Sequence, residues 1–172
     1  MKIQIIGYSG SGKSTLAKRL AEHYHIPLLY LDTVQFYDDW KERPLFQQNE
    51  IVETFLNQHD AWVIDGNYGR VAPRRFQECD MIIYLNYSRL YCYMMALQRY
   101  FQNKGHCRES CPCIEKFDLE FQKWILIDGR TSQQKKKHLE HLSMCQKDVY
   151  VFKNRRQLYH FLKEKGIGKP II

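Results

Sequence analysis

No stretch of this sequence approaches the run of about 18 apolar residues that a membrane-spanning helix requires, so an integral membrane protein is not expected. The opening Lys2-Ile3-Gln4-Ile5-Ile6 is also too short for the apolar core of an export signal, and it runs directly into a glycine loop. A cytoplasmic location follows as the expectation. Glycine and proline are scarce, with 9 and 5 in 172 residues. That excludes collagen and linker-rich disorder. There are no internal repeats, low-complexity tracts, helix-turn-helix or zinc-finger patterns. The basic residues lack the interleaved aromatics of a nucleic-acid reader. Direct nucleic-acid binding is therefore disfavoured, as is a membrane partner.

What is present is one domain's worth of chain with a lopsided charge. The net charge is +7. Residues 1–100 carry 11 basic and 11 acidic side chains, and residues 101–172 carry 15 and 8. A basic half suggests a polyanionic partner such as a nucleotide. Six cysteines occur, and thiols stay reduced in the expected compartment. Four of them stand singly among apolar neighbours and read as small core hydrophobes.

Short apolar runs at Lys2 to Gly7, Pro27 to Leu31, Ala61 to Asp65, Met81 to Leu85 and Asp148 to Phe152 have strand length and strand composition. Helical periodicity falls between and after them, at about Lys13 to His23, Leu45 to Gln58, Ser88 to Lys104, Phe117 to Cys145 with a break near Asp128-Gly129, and Arg155 to Lys165. Alternating strands and helices predict a doubly wound parallel α/β sheet. The insertion at about 105–116 holds Gly, Pro and three cysteines, and is the expected lid of a single domain spanning 1–172.

Gly7-Tyr8-Ser9-Gly10-Ser11-Gly12-Lys13-Ser14, followed by Thr15, fits GxxxxGK[ST] between the first strand and the first helix. This is the context a phosphate loop needs. Its glycines let consecutive N–H groups face phosphate oxygens at a helix N-terminus. Gly7, Ser9, Gly10, Ser11, Gly12, Lys13, Ser14 and Thr15 are thus assigned to ATP. Lys13 is expected on the β and γ phosphates, and Ser14 on Mg2+. Asp65 and Asp32 close the third and second apolar runs, where such sheets gather ligands. One would hold Mg2+ through water, Asp65 being assigned there, and the other would meet the acceptor; capping of the next helix is the plainer alternative for each. A base-reading NKxD motif is absent, since Phe152-Lys153-Asn154-Arg155 lacks the acid, and this argues against a GTPase. Asn154 is kept as a nucleotide contact.

The phosphate loop, Asp32, the segment Trp62-Val63-Ile64-Asp65-Gly66-Asn67-Tyr68-Gly69-Arg70, and Cys111-Pro112 leading to Glu115-Lys116-Phe117-Asp118-Leu119-Glu120-Phe121 with Trp124-Ile125 resemble the bacterial DNA topology modulation (FlaR-related) proteins. Those are similar to adenylate kinase and shikimate kinase within the P-loop kinase superfamily. The resemblance implies a three-layer α/β/α fold with a five-stranded parallel sheet, a lid, ATP with Mg2+ as cofactors, and a small-molecule acceptor. It further implies an acceptor-phosphate arginine after Asp65-Gly66, a place that Arg70 takes one position late, with Arg43 as another acceptor contact. Of two lid-proximal arginines a turn apart, Arg99 fills one place and Met95 stands where the other is expected, so Arg108 and Arg130 are nominated instead.

Trp40, Asn67 and Tyr68 complete the expected acceptor cleft, with Tyr30, Phe36 and Tyr37 as rings that either line it or cover the sheet. His106, Cys107, Cys111 and Cys113 have the wrong spacing for zinc knuckles, so reduced thiols are the expectation. The six other histidines read as structural, and Lys135-Lys136-Lys137 as a solvated helix face. The reading reached is an ATP-dependent small-molecule kinase. A nucleotide-binding regulator of DNA topology or gene expression, without turnover, is the alternative.

Overall fold

The computed structural model describes residues 1–168. Five parallel strands, β1 (Lys2–Gly7), β2 (Leu28–Tyr30), β3 (Trp62–Asp65), β4 (Met81–Leu85) and β5 (Asp148–Phe152), form one sheet in the order β2-β3-β1-β4-β5. Lys2 pairs with Trp62 on one side of β1, and Ile3 with Met81 on the other. The three inner strands are mainly apolar because both their faces are covered, with Lys2 and Gln4 of β1 and Asp65 at the end of β3 as the polar positions, and every residue of β3 and β4 is buried. β5 lies at an edge and is mostly exposed. Burying each large aliphatic side chain of the inner strands contributes about 1.5–3 kcal/mol.

The strands are joined through α1 (Lys13–Tyr24), α2 (Leu31–Gln35), α3 (Leu45–Gln58), α4 (Arg74–Glu78), α5 (Arg89–Asn103), α6 (Leu119–Leu126) and α7 (Ser132–Met144), and α8 (Arg155–Glu164) follows β5. The chain crosses in one direction from β1 to β2 and in the other thereafter. Right-handed crossovers then put α1 on one face of the sheet and the later crossover helices on the other. α4 and α7 meet on that second face, where the Phe76 and His141 rings stack at 4.2 Å. After β5 the chain returns to α1, and Arg19 donates to the Ile167 carbonyl at 2.6 Å.

The expected long helix over Phe117 to Cys145 is two helices separated by a 3-10 turn, Asp128–Arg130, at the anticipated break. Asp118 and Thr131 cap the two segments by accepting from Phe121 N and Gln134 N. Two five-residue helices, α2 and α4, were not expected, being too short to show a period. Inside the core, the wholly buried Gln4 donates to the carbonyls of Ile64 and Gly66, and its Oε1 accepts from the equally buried Arg75 at 3.0 Å. Arg75 also donates to the carbonyls of Val71, Ala72 and Tyr68. Burial lowers its guanidinium to about 9, so the cation persists at neutral pH and ties the chain after β3 to β1.

Candidate functional site

The turn from β1 into α1 is built for close approach. Gly12, at φ +88°, is the N-cap of α1, a conformation that L side chains rarely adopt. A Cβ at Gly10 would collide with the Cys92 carbonyl oxygen of α5. The loop closes with Ser11 N donating to the Tyr8 carbonyl at 3.1 Å, and Lys13 Nζ rests on that same carbonyl at 3.1 Å. The exposed Gly12 and Thr15 and the partly exposed Ser9, Gly10, Lys13 and Ser14 leave the cradle open to a ligand, while the buried Ser11 hydroxyl has no partner among the described residues.

Parallel pairing of β3 beside β1 delivers Asp65 to Ser14. Ser14 Oγ donates to Asp65 Oδ2 at 2.6 Å, and the buried Oδ1 has no partner among the described residues. Burial pushes the Asp65 carboxyl up to about 6, opposed by Lys13 and by the Ser14 hydrogen bond and assisted by the charge of Asp32. Asp32, on α2, accepts from the Tyr68 hydroxyl at 2.6 Å. The Tyr68 hydroxyl is held well above its ordinary value by burial and by Asp32.

A cleft of about 590 Å³ opens beside this group. Ser14, Thr15 and Lys18 of α1 line it on one side and Arg99, Arg108 and Ser110 on the other, with Tyr30 also in its wall. Arg99 donates to Glu115 Oε1 through Nη2 at 2.7 Å and Nε at 3.0 Å. Arg108 donates to Glu115 Oε2 through Nε at 2.5 Å and to Ser110 Oγ through Nη1 at 2.7 Å. The fold thus brings Lys13, Asp32 and Arg108 within electrostatic reach of Asp65, and Asp32 and Arg108 within reach of Arg99.

The 105–116 segment lies toward α2 and α1. Trp40 Nε1 donates to the Ile114 carbonyl at 3.0 Å, Cys113 Sγ to the Tyr37 carbonyl at 3.0 Å, and Lys18 pairs with Glu109 at 2.6 Å. Cys111 and Cys113, expected as loop thiols, are buried, whereas Cys107 is exposed. Among the described residues no group of three or more His, Cys, Asp or Glu is placed to hold a metal.

Arg130 comes to the phosphate loop from the other side. Its guanidinium lies 3.5 Å from the centroid of the Tyr8 ring, and Nη1 donates to the Tyr87 carbonyl at 2.7 Å. Its Nη2 is buried and makes no geometric hydrogen bond among the described residues. His138 of α7 packs edge-on against Tyr8 at 5.1 Å, a neighbour of the loop that sequence reading assigned only a structural place.

Other expected contacts are engaged elsewhere. Both polar atoms of the Asn67 amide bind the Gly7 backbone, accepting from its N at 2.9 Å and donating to its O at 2.8 Å, so Asn67 braces the loop. Asn154 caps α8 by accepting from Gln157 N at 3.0 Å. Arg43 donates to the Val34 carbonyl and lies over Tyr37. Arg70 is exposed, and the fully buried arginine downstream of Asp65-Gly66 is Arg75. Glu115 was not singled out from sequence, because a carboxylate before Lys116 in a polar loop gives no sign that folding buries it between two arginines.

The fold as a whole is similar to solved structures across nearly the entire chain. Shikimate kinase from Acinetobacter baumannii in complex with shikimate is 15% identical at a TM-score of 0.56, covering 97% of this chain and 95% of that one. The fold is that of a P-loop kinase. Deoxyadenosine kinase from M. mycoides is 14% identical at a TM-score of 0.53, with 96% and 98% covered. An uncharacterized protein from Eubacterium ventriosum is 19% identical at 0.52, with 97% and 98% covered. No protein family and no curated protein matches the sequence. Among the described residues of this P-loop kinase fold, no helix is long and apolar enough to cross a membrane.

Proposed function

We propose that the protein is a Mg2+-dependent kinase that transfers a phosphoryl group from ATP to a small acceptor, a nucleotide, nucleoside or other small molecule. The observation that carries this reading is the 2.6 Å pair of Ser14 and Asp65, whose buried Oδ1 has no partner among the described residues, at the mouth of an open phosphate cradle. A hydroxyl beside a carboxylate with a spare oxygen suits a hard cation that keeps several waters and shares phosphate oxygens. Ser14 would hold Mg2+ directly and Asp65 through water, and the ion when bound would offset charge on the β and γ phosphates.

The protein's own groups supply the rest. The α1 N-terminus and Lys13 bind phosphate, the latter by leaving the Tyr8 carbonyl. Asp32, oriented by Tyr68, is placed to accept a proton from an acceptor hydroxyl or to orient an acceptor group. Arg99 and Arg108 face the cleft as donors for phosphate oxygens, and the segment docked through Trp40 and Cys113 shields it from water. The acceptor is taken to enter between α1 and that segment, with Tyr30 and Trp40 nearby. Arg130 is assigned to the nucleotide side because of its place over Tyr8.

The test is ATP consumption against a panel of nucleosides, nucleoside monophosphates and small hydroxy acids, alongside ATP binding. At least one acceptor should stimulate transfer, and Lys13→Ala should lower kcat/KM by a factor of 100 or more. If Lys13→Ala abolishes ATP binding and no acceptor supports turnover, the chain is instead a nucleotide-binding regulator.

A further inference from the structure

We propose that Glu115 is the positioning residue that holds Arg99 and Arg108 as one preorganised clamp for a phosphate-type anion; this rests on the kinase reading of the cleft.

Two guanidinium groups facing one cleft repel each other. Arg99 is held below its ordinary value first by burial and then by the charge of Arg108, with Glu115 acting in the opposite sense. Glu115 sits between them with its side chain 5% exposed, and gives one carboxylate oxygen to each arginine. Arg99 and Arg108 border the cleft while Glu115 is absent from its wall. The carboxylate therefore grips the arginines from behind. Glu115 engages Nε and Nη2 of Arg99 and Nε of Arg108, and Ser110 takes Arg108 Nη1. Arg99 Nη1 and Arg108 Nη2 have no protein partner among these contacts. Each arginine thus keeps a donor edge for a ligand, and the three side chains retain one net positive charge. Rigid guanidinium forks suit phosphate oxygens, and side chains already fixed lose less entropy on binding.

The loop that carries Glu115 is itself fastened. Glu115 N donates to the His106 carbonyl at 3.1 Å, and the neighbouring Ile114 carbonyl accepts from Trp40. The clamp geometry is thus tied to the docked position of the 105–116 segment.

A positioning role and a competing role make opposite predictions. Were Glu115 occupying the place of the ligand anion, removing its charge would strengthen anion binding; if it positions the arginines, the same change weakens binding despite the added net positive charge. Calorimetric titration of MgATP into the full chain, with tripolyphosphate as a second probe, reads the sign directly without turnover. Glu115→Gln should weaken both probes about tenfold, Glu115→Asp should recover part of the loss, and Arg108→Lys should add little in the Gln background because the clamp is already loosened. Unchanged or tighter binding by Glu115→Gln overturns the proposal. Should Glu115→Gln fail to fold, Glu115→Asp and Arg108→Lys, singly and together, provide the same cycle, and strictly additive losses overturn it. Failure of the kinase reading is separately visible as absent acceptor-stimulated turnover in the unmodified protein, while the tripolyphosphate arm still decides the role of Glu115.

Discussion

Asp65 stores a conflict between stability and function. Its carboxyl, pushed up to about 6 by burial, binds a proton in the folded chain between about pH 4 and 6 that the unfolded chain has released. Its contribution to stability is therefore greatest at low pH and is lost as pH rises through 6. At neutral pH the ligand-free fold carries a buried charge with one unpartnered oxygen. Asp65→Asn should raise stability at pH 7.5 by about 2 kcal/mol while abolishing Mg2+-dependent ATP binding, and the gain should vanish toward pH 4. Thermal melts from pH 4 to 8 with and without MgATP check this; a variant less stable at pH 7.5 would contradict it. His138 has the opposite sign. Buried between Tyr8 and Tyr84, it is lowered to about 4, chiefly by desolvation, so it contributes stability above about pH 6.5 that is lost as pH falls toward 4. His141 is lowered likewise. Melting temperature should drop between pH 7 and 5, and His138→Phe, which keeps a ring against Tyr8, should flatten that dependence. Lys13, Ser14 and Asp65 were legible in the sequence because motif and strand end both mark them. Glu115 and Arg75 were not, since burial of a charge depends on which distant groups the fold brings to it.

At the scale of elements, the boundaries of β1, β4 and β5 were readable because runs rich in Ile, Val and aromatic residues stop where turn residues begin. α2 and α4 were missed because five residues are too few to show a helical period. The 105–116 segment was recognisable from its glycine, proline and cysteines, but not its docking. That docking depends on Trp40, at φ +65°, whose indole reaches across to Ile114. Trp40→Phe removes this hydrogen bond and keeps most of the ring. Loss of about 1 kcal/mol should raise local opening of the segment about fivefold, measurable as faster amide exchange or proteolytic cleavage within 105–116 at unchanged global stability. No change in exchange there would mean that Trp40 does not hold the segment.

For the whole molecule, the charge asymmetry resolves into geometry. The N-terminal part supplies the cradle and its carboxylates; Arg99, Arg108 and Arg130 approach from two sides, the first two at the cleft beside α1 and the last over Tyr8. The parallel sheet was legible from alternating periods, whereas the placement of Arg108 over the α1 cleft required three segments to meet. The strand order carries a further implication for time rather than space. β1 pairs with β3 and β4, so Lys2 waits for Trp62 and Ile3 for Met81. At roughly 5–20 residues per second of synthesis, the strand that leads into the phosphate loop is without either neighbour for several seconds. The segment that leads into the glycine loop is thus made before either of the strands that give it its shape.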